Sequence, residues 1–229
     1  MDKGTARFLK QISFPLWFTG LIWIIHLIQV FGGIDLRTLG VFPKHLEGLP
    51  GILTSPLIHG SWGHLLFNSL SFVMIGTVLF WFYPRIALKS VLLLYVMSGF
   101  GIWITGQPNS FHIGASGIIY GMVSLVFWNG VFRRNVKSVI LALIILMMYS
   151  GLFEGLLPGQ EGISWEGHLS GAVAGVILAW VFRKQIEVDE IKPPEPEYDE
   201  EKTYYLPRDT FDMTMAERRA LWENQNRQF

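Results

Sequence analysis

The sequence predicts an all-α, polytopic membrane protein: six transmembrane helices, both termini on the inner side, and a soluble C-terminal tail. Three observations predict it. Hydrophobic residues are 51% of the 229 and charged residues only 16%, with a mean hydropathy of +0.37, whereas a water-soluble domain carries about 25% charged residues. Six strongly apolar stretches recur before Lys184, and the basic residues between them alternate in density. A soluble helical bundle is the competing architecture. It fails because six near-chargeless helices would leave too little polar surface to meet water.

Residues 1–13 read as a cytoplasmic N-terminus carrying Lys3, Arg7 and Lys10. The first span, Phe14–Phe31, has no small-residue cleavage site after it and reads as a retained helix rather than a signal peptide. Leu65–Tyr83 is the second span and Ser90–Thr105 the third, with Arg85 and Lys89 between them. Ala115–Phe132 is the fourth, followed by Arg133, Arg134 and Lys137. Ser138–Leu157 is the fifth, and it alone holds an Asp, Glu, Lys or Arg, Glu154 near its end. Leu169–Phe182 is the sixth, closed by Arg183 and Lys184. A span needs roughly 20 apolar residues, so the third and sixth draw on flanking residues. With the N-terminus inside, the inner segments hold ten Lys and Arg, and the outer ones only Arg37 and Lys44. That asymmetry sets the orientation, and residues 14–183 form one six-helix membrane domain.

Residues 184–229 read as an acidic cytoplasmic tail. Glu187–Lys202 is acidic and contains Pro193, Pro194 and Pro196, the composition of an extended, solvated linker. Thr214-x-x-Glu217 is a capping box ahead of a short helix near 214–225. The formal net charge of zero hides this division: 11 basic and 6 acidic residues precede Lys184, against 7 and 12 from there on. Nothing in that balance points to nucleic acid. The absence of cysteine excludes disulfides, thiolate metal sites and cysteine nucleophiles.

Polar groups within a bilayer are costly, so those that persist are functional candidates. His64 and Asn68 open the second span at i,i+4 spacing, on one helical face, and suit an oxyanion-stabilising pair. Gly114-Ala115-Ser116-Gly117 opens the fourth, with Tyr120 one turn on. A serine at a helix start is often only a cap, and Gly117 with Gly121 is a small-residue packing pair. Gly167-His168-Leu169-Ser170-Gly171 opens the sixth, and Gly167, Gly171 and Gly175 form a flat stripe. If the fourth and sixth helices meet through these stripes, Ser116 and His168 lie at matching depths, a nucleophile beside its base. All three clusters fall on the outer side, and together they form a constellation for acyl transfer.

These residues resemble the rhomboid intramembrane serine proteases: His64-x-x-x-Asn68, Gly114-x-Ser116-Gly117 with Tyr120, and Gly167-His168-x-x-Gly171, in that family's order and on its second, fourth and sixth helices. The resemblance covers roughly Phe14 to Arg183. It implies a Ser–His dyad in which Ser116 attacks a peptide carbonyl and His168 serves as base, then acid. It also implies that Tyr120 orients His168 and that the Ser116 backbone, His64 and Asn68 form the oxyanion hole. The substrates would be single-span membrane proteins, cut near the outer face, in what is expected to be a bacterial inner membrane; the lipid bilayer is the other partner. No cofactor is implied, and no metal, since the six histidines show no His-Glu-x-x-His pattern. One departure concerns the long first outer loop. Where family members often carry a Trp-Arg pair, this chain reads Gly48–Thr54 without either residue, so the loop is expected to be anchored differently.

No third triad acid is evident, and Glu154, Glu161 and Glu166 read as outer-surface charges. Two other functional classes compete. A non-catalytic rhomboid-like protein that binds membrane clients would be marked by loss of a dyad residue. A transporter would show charged or broken helices near the bilayer midplane.

Overall fold

Helices that are apolar on every side must be buried or face lipid, and the bundle is built from such helices. The computed structural model describes residues 2–159, 164–187 and 213–226. Its helices are α1 Lys3–Gly32, α2 Gly51–Thr54, α3 Trp62–Phe82, α4 Ala87–Thr105, α5 Ser116–Arg133, α6 Val136–Met148, α7 Trp165–Phe182 and α8 Met215–Asn226. No strand occurs among the described residues; Val41 and His112 form one isolated antiparallel bridge. Local chemistry fixes several helix ends. Asp2, Ser61, Asn135 and Ser164 accept first-turn N–H groups of α1, α3, α6 and α7. Gly33, at φ 62°, ends α1 in the left-handed conformation that glycine adopts without strain.

α1, α3, α4 and α7 are each long and apolar enough to cross a membrane. The expected fifth span is not one straight helix. α6 stops at Met148, and a 3₁₀ segment, Ser150–Leu156, continues at a bend of 67°. Together they make a fifth candidate span. α5 is the central helix, packed by α3, α4, α6 and α7. Glycines and Asn129 lower its hydropathy because it faces protein more than lipid: Asn129 is fully buried, as are Met122, Leu125 and Val126. α1 begins near the chain start, so most of the expected N-terminal segment is helical.

The core runs along the middle of the bundle through Phe18, Phe72, Ile75, Leu79, Leu94 and Leu178. Outward, Ile28, Leu70, Leu92, Leu143, Ile177 and Val181 are exposed. In water such a surface would drive association; in lipid it is the natural exterior.

The loop before α3 is tied down by aromatic residues of α4. Trp103 Nε1 donates to the His45 carbonyl at 2.8 Å, Lys44 N–H donates to the Trp103 carbonyl at 3.0 Å, and Tyr95 Oη donates to Leu53 at 2.5 Å. Val41 and His112 exchange two backbone hydrogen bonds, each 2.9 Å. These contacts hold a loop that lacks the Trp-Arg pair and was expected to be anchored differently.

At the far end of the bundle from Ser116, Tyr83 Oη donates to Ser138 Oγ at 3.0 Å, and Glu187 approaches Arg133 to 3.9 Å while accepting from Arg85 N–H. Glu187 is wholly buried. It was expected to begin a solvated linker; instead it folds back onto two basic residues. The rest of that linker, 188–202, lies outside the described residues. The chain divides into two units, Met1–Ile191 and Lys192–Phe229. In the second, Thr214 and Glu217 satisfy each other's N–H groups at 2.7 and 3.4 Å, the reciprocal capping box ahead of α8.

Candidate active site

Two rows of small residues bring Ser116 and His168 together. Gly117 and Gly121 on α5 face Gly167, Gly171 and Gly175 on α7. A Cβ added at Gly171 would collide with the Gly117 carbonyl oxygen, and one at Gly175 with that of Gly121; one at Gly117 would sit 3.2 Å from the Gly167 carbonyl oxygen. Ser124 Oγ adds a 2.7 Å bond to the Ala172 carbonyl. Backbone therefore lies on backbone, and the two helix starts align. Ser116 Oγ stands 2.9 Å from His168 Nε2.

The bend after α6 supplies what holds the imidazole. His168 Nδ1 is 2.8 Å from the Gly155 carbonyl oxygen. A carbonyl can only accept, so Nδ1 carries the proton and Nε2 presents a lone pair to the Ser116 hydroxyl. Tyr120 stacks on the His168 ring at 4.0 Å between centroids and 11° between planes. Its Oη donates to the Leu152 carbonyl at 2.8 Å, in the same 3₁₀ segment. Gly155 is glycine because a Cβ there would meet the Tyr120 hydroxyl oxygen.

His64 and Asn68 close the other side. Gly114 has φ +105°, a conformation that favours glycine, and a Cβ there would lie 2.6 Å from the His64 ring and 3.3 Å from Asn68 Nδ2. α5 starts at Ser116 with no side-chain cap; Ile118 and Ile119 N–H bond the Ala115 carbonyl, so the Ser116 and Gly117 N–H groups ahead of them are the ones left for an anion. Every singled-out residue of the three motifs thus meets at one end of the bundle.

Other residues at the site carried no sequence signal. His59 is fully buried, and Asn68 Nδ2 donates to its Nε2 at 3.0 Å. Its carbonyl accepts from Gln29 Nε2 at 3.2 Å. Burial, aided by the neighbouring His64 and His26, holds the His59 imidazole down to about 3. His112 is 7% exposed and lies 2.6 Å from Ser164 Oγ, the α7 cap. Burial lowers its pKa as well, with the Glu166 carboxylate pulling the other way. Glu166 corrects an expectation: it is 4% exposed, not a surface charge, because its position in the first turn of α7 turns it toward His112. Glu154 is exposed, and Glu161 lies outside the described residues. No group of three or more metal-ligating side chains gathers among the described residues.

A bundle of apolar helices with a serine and a histidine joined at one end defines a class of integral membrane proteins. The chain belongs to the rhomboid family: the family model described as Rhomboid domain matches residues 47–185. An uncharacterized protein of Mycobacterium tuberculosis is 33% identical over 175 residues, 73% of each chain. RHOMBOID-like protein 4 of Arabidopsis thaliana is 30% identical over 164 residues, 68% of this chain and 38% of its own. A Bacillus subtilis protein provisionally named a rhomboid protease is 28% identical over 137 residues, 57% of this chain and 65% of its own.

Proposed function

We propose that the protein is an intramembrane serine endopeptidase that cuts single-span membrane proteins near the outer face. The 2.9 Å approach of Ser116 Oγ to His168 Nε2 carries the reading. His168 takes the Ser116 proton as Oγ attacks the scissile carbonyl carbon, and the new oxyanion is met by the Ser116 N–H, His64 and Asn68. His168 then gives that proton to the departing amine, leaving an acyl-enzyme. Water repeats the sequence in reverse and frees Ser116. The Gly155 carbonyl takes the orienting part that an acid has in a three-residue triad.

In this reading residues 14–183 form six spans, with α5 the fourth, and both termini and the acidic tail lie inside. An apolar cleft of about 300 Å³ beside Tyr120, lined by Phe127, Trp128, Leu146, Phe153 and Val173, suits a hydrophobic segment. The mycobacterial relatives support a bacterial inner membrane. The reaction needs no cofactor and no nucleic acid.

The test is cleavage of a single-span substrate in liposomes. Ser116→Ala and His168→Ala are each expected to lower the rate by about 10³-fold or more. Wild-type cleavage by Ser116→Ala would overturn the assignment of Ser116, and absence of cleavage by the wild-type protein itself would favour a non-catalytic protein that binds membrane clients.

A further inference from the structure

We propose that His112 is a positioning residue for the catalytic base, acting through the cap of the helix that carries it. The inference rests on the protease reading above. It comes from a run of hydrogen bonds whose directions can be assigned. Ser110 Oγ lies 3.0 Å from the Gln107 carbonyl, to which it donates. That leaves the Ser110 oxygen to accept from His112 Nε2–H at 3.1 Å. His112 Nδ1 is then the unprotonated nitrogen, and it accepts from the Ser164 hydroxyl at 2.6 Å. Ser164 Oγ in turn accepts the Gly167 N–H at 3.2 Å, the first-turn bond that opens α7 one residue before His168.

Each hydroxyl in this run donates once and accepts once, so the four bonds share one direction, from Gly167 N–H to the Gln107 carbonyl. His112 is itself fixed by main chain, through its two 2.9 Å bonds with Val41. The loop ahead of α5 therefore dictates where α7 starts. The same loop leads through Gly114 into Ser116, so nucleophile and base take their positions from one short segment. A serine cap alone can rotate away; a serine held by a buried imidazole cannot.

The test compares His112→Ala, His112→Leu and His112→Asn in the full chain, with Ser116→Ala as control. The Asn side-chain oxygen can take the place of Nδ1 as acceptor from Ser164; Leu fills the space without accepting. His112→Leu and His112→Ala are expected to lose about 10- to 100-fold in kcat, with KM within about twofold. His112→Asn is expected to stay within about threefold of wild type. Amide hydrogen exchange in detergent gives a readout independent of activity: the peptide containing Gly167 should exchange faster in the Leu and Ala variants and not in the Asn variant. Equal loss in Leu and Asn would overturn the proposal, since His112 would then merely fill space. Unchanged exchange at Gly167 would overturn it too. Wild-type cleavage by Ser116→Ala would remove the reaction itself, and with it the role of His112, a result the exchange data keep distinct from failure of the relay.

Discussion

A histidine whose Nδ1 faces a carbonyl has no choice of tautomer, and in the proposed protease this is how a site with one serine and one histidine would dispense with a third acid. Around His168 the groups that act are backbone: the carbonyl of Gly155 on one nitrogen, and the Leu152 carbonyl holding the tyrosine that stacks on the ring. His59 has a different consequence. Its imidazole is held near 3 in the folded chain, against 6.5 when unperturbed. Below pH 6.5 the unfolded chain takes up a proton that the folded chain refuses, so stability falls by up to about 1.4 kcal/mol per pH unit toward pH 3. Thermal unfolding in detergent should show the melting temperature dropping between pH 7 and pH 5, less so in His59→Gln; equal slopes would count against it. Ser116, His168, His64 and Asn68 were legible because they are polar groups opening apolar runs. His59 and His112 were not, because they sit in loops, where polar residues are ordinary and only the folded contacts mark them.

At the scale of elements, the α5–α7 contact decides most. The glycine stripes announced that contact in sequence, and backbone contact at Gly117–Gly171 and Gly121–Gly175 is what they make. Gly171→Ala should lower stability by about 2–3 kcal/mol through overpacking. Gly151→Ala, where an added Cβ meets nothing within 4 Å, should change it little; a thermal-unfolding series in detergent compares the two, and a tolerated Gly171→Ala would refute the tight contact. The break in the fifth span was not legible. Hydropathy averaged over a whole run does not register a bend, and Leu152, Phe153 and Leu156 keep Ser150–Leu156 within the apolar run that begins in α6 despite Glu154. Glu166 was misjudged for the related reason that hydropathy reads a charge as exposed, whereas its place in the first turn of α7 turns it inward.

For the whole molecule, the division of charge makes a prediction of topology. If the basic segments lie inside, Gln107 and Val136 fall on opposite faces of the membrane. The chain contains no cysteine, so single substitutions report cleanly. Gln107→Cys should react with an impermeant maleimide in intact cells, and Val136→Cys only after the membrane is opened; the reverse pattern would invert the orientation. The number of spans was read from six apolar runs, and the central α5, whose apolar side chains meet protein on most sides, is the one whose composition says least about lipid. The glycine contact has one more implication. Because α5 and α7 touch through main chain, they should tilt and slide as a single rod, which should insulate the 2.9 Å between Ser116 and His168 from changes in bilayer thickness. Gly155 has no such protection, since it rides on the bent segment after α6. If the proposed protease reading holds, a membrane that thins or thickens would leave Ser116 and His168 at their distance while the imidazole loses its bearing, so lipid composition would tune how well His168 works as a base and leave the meeting of the pair untouched.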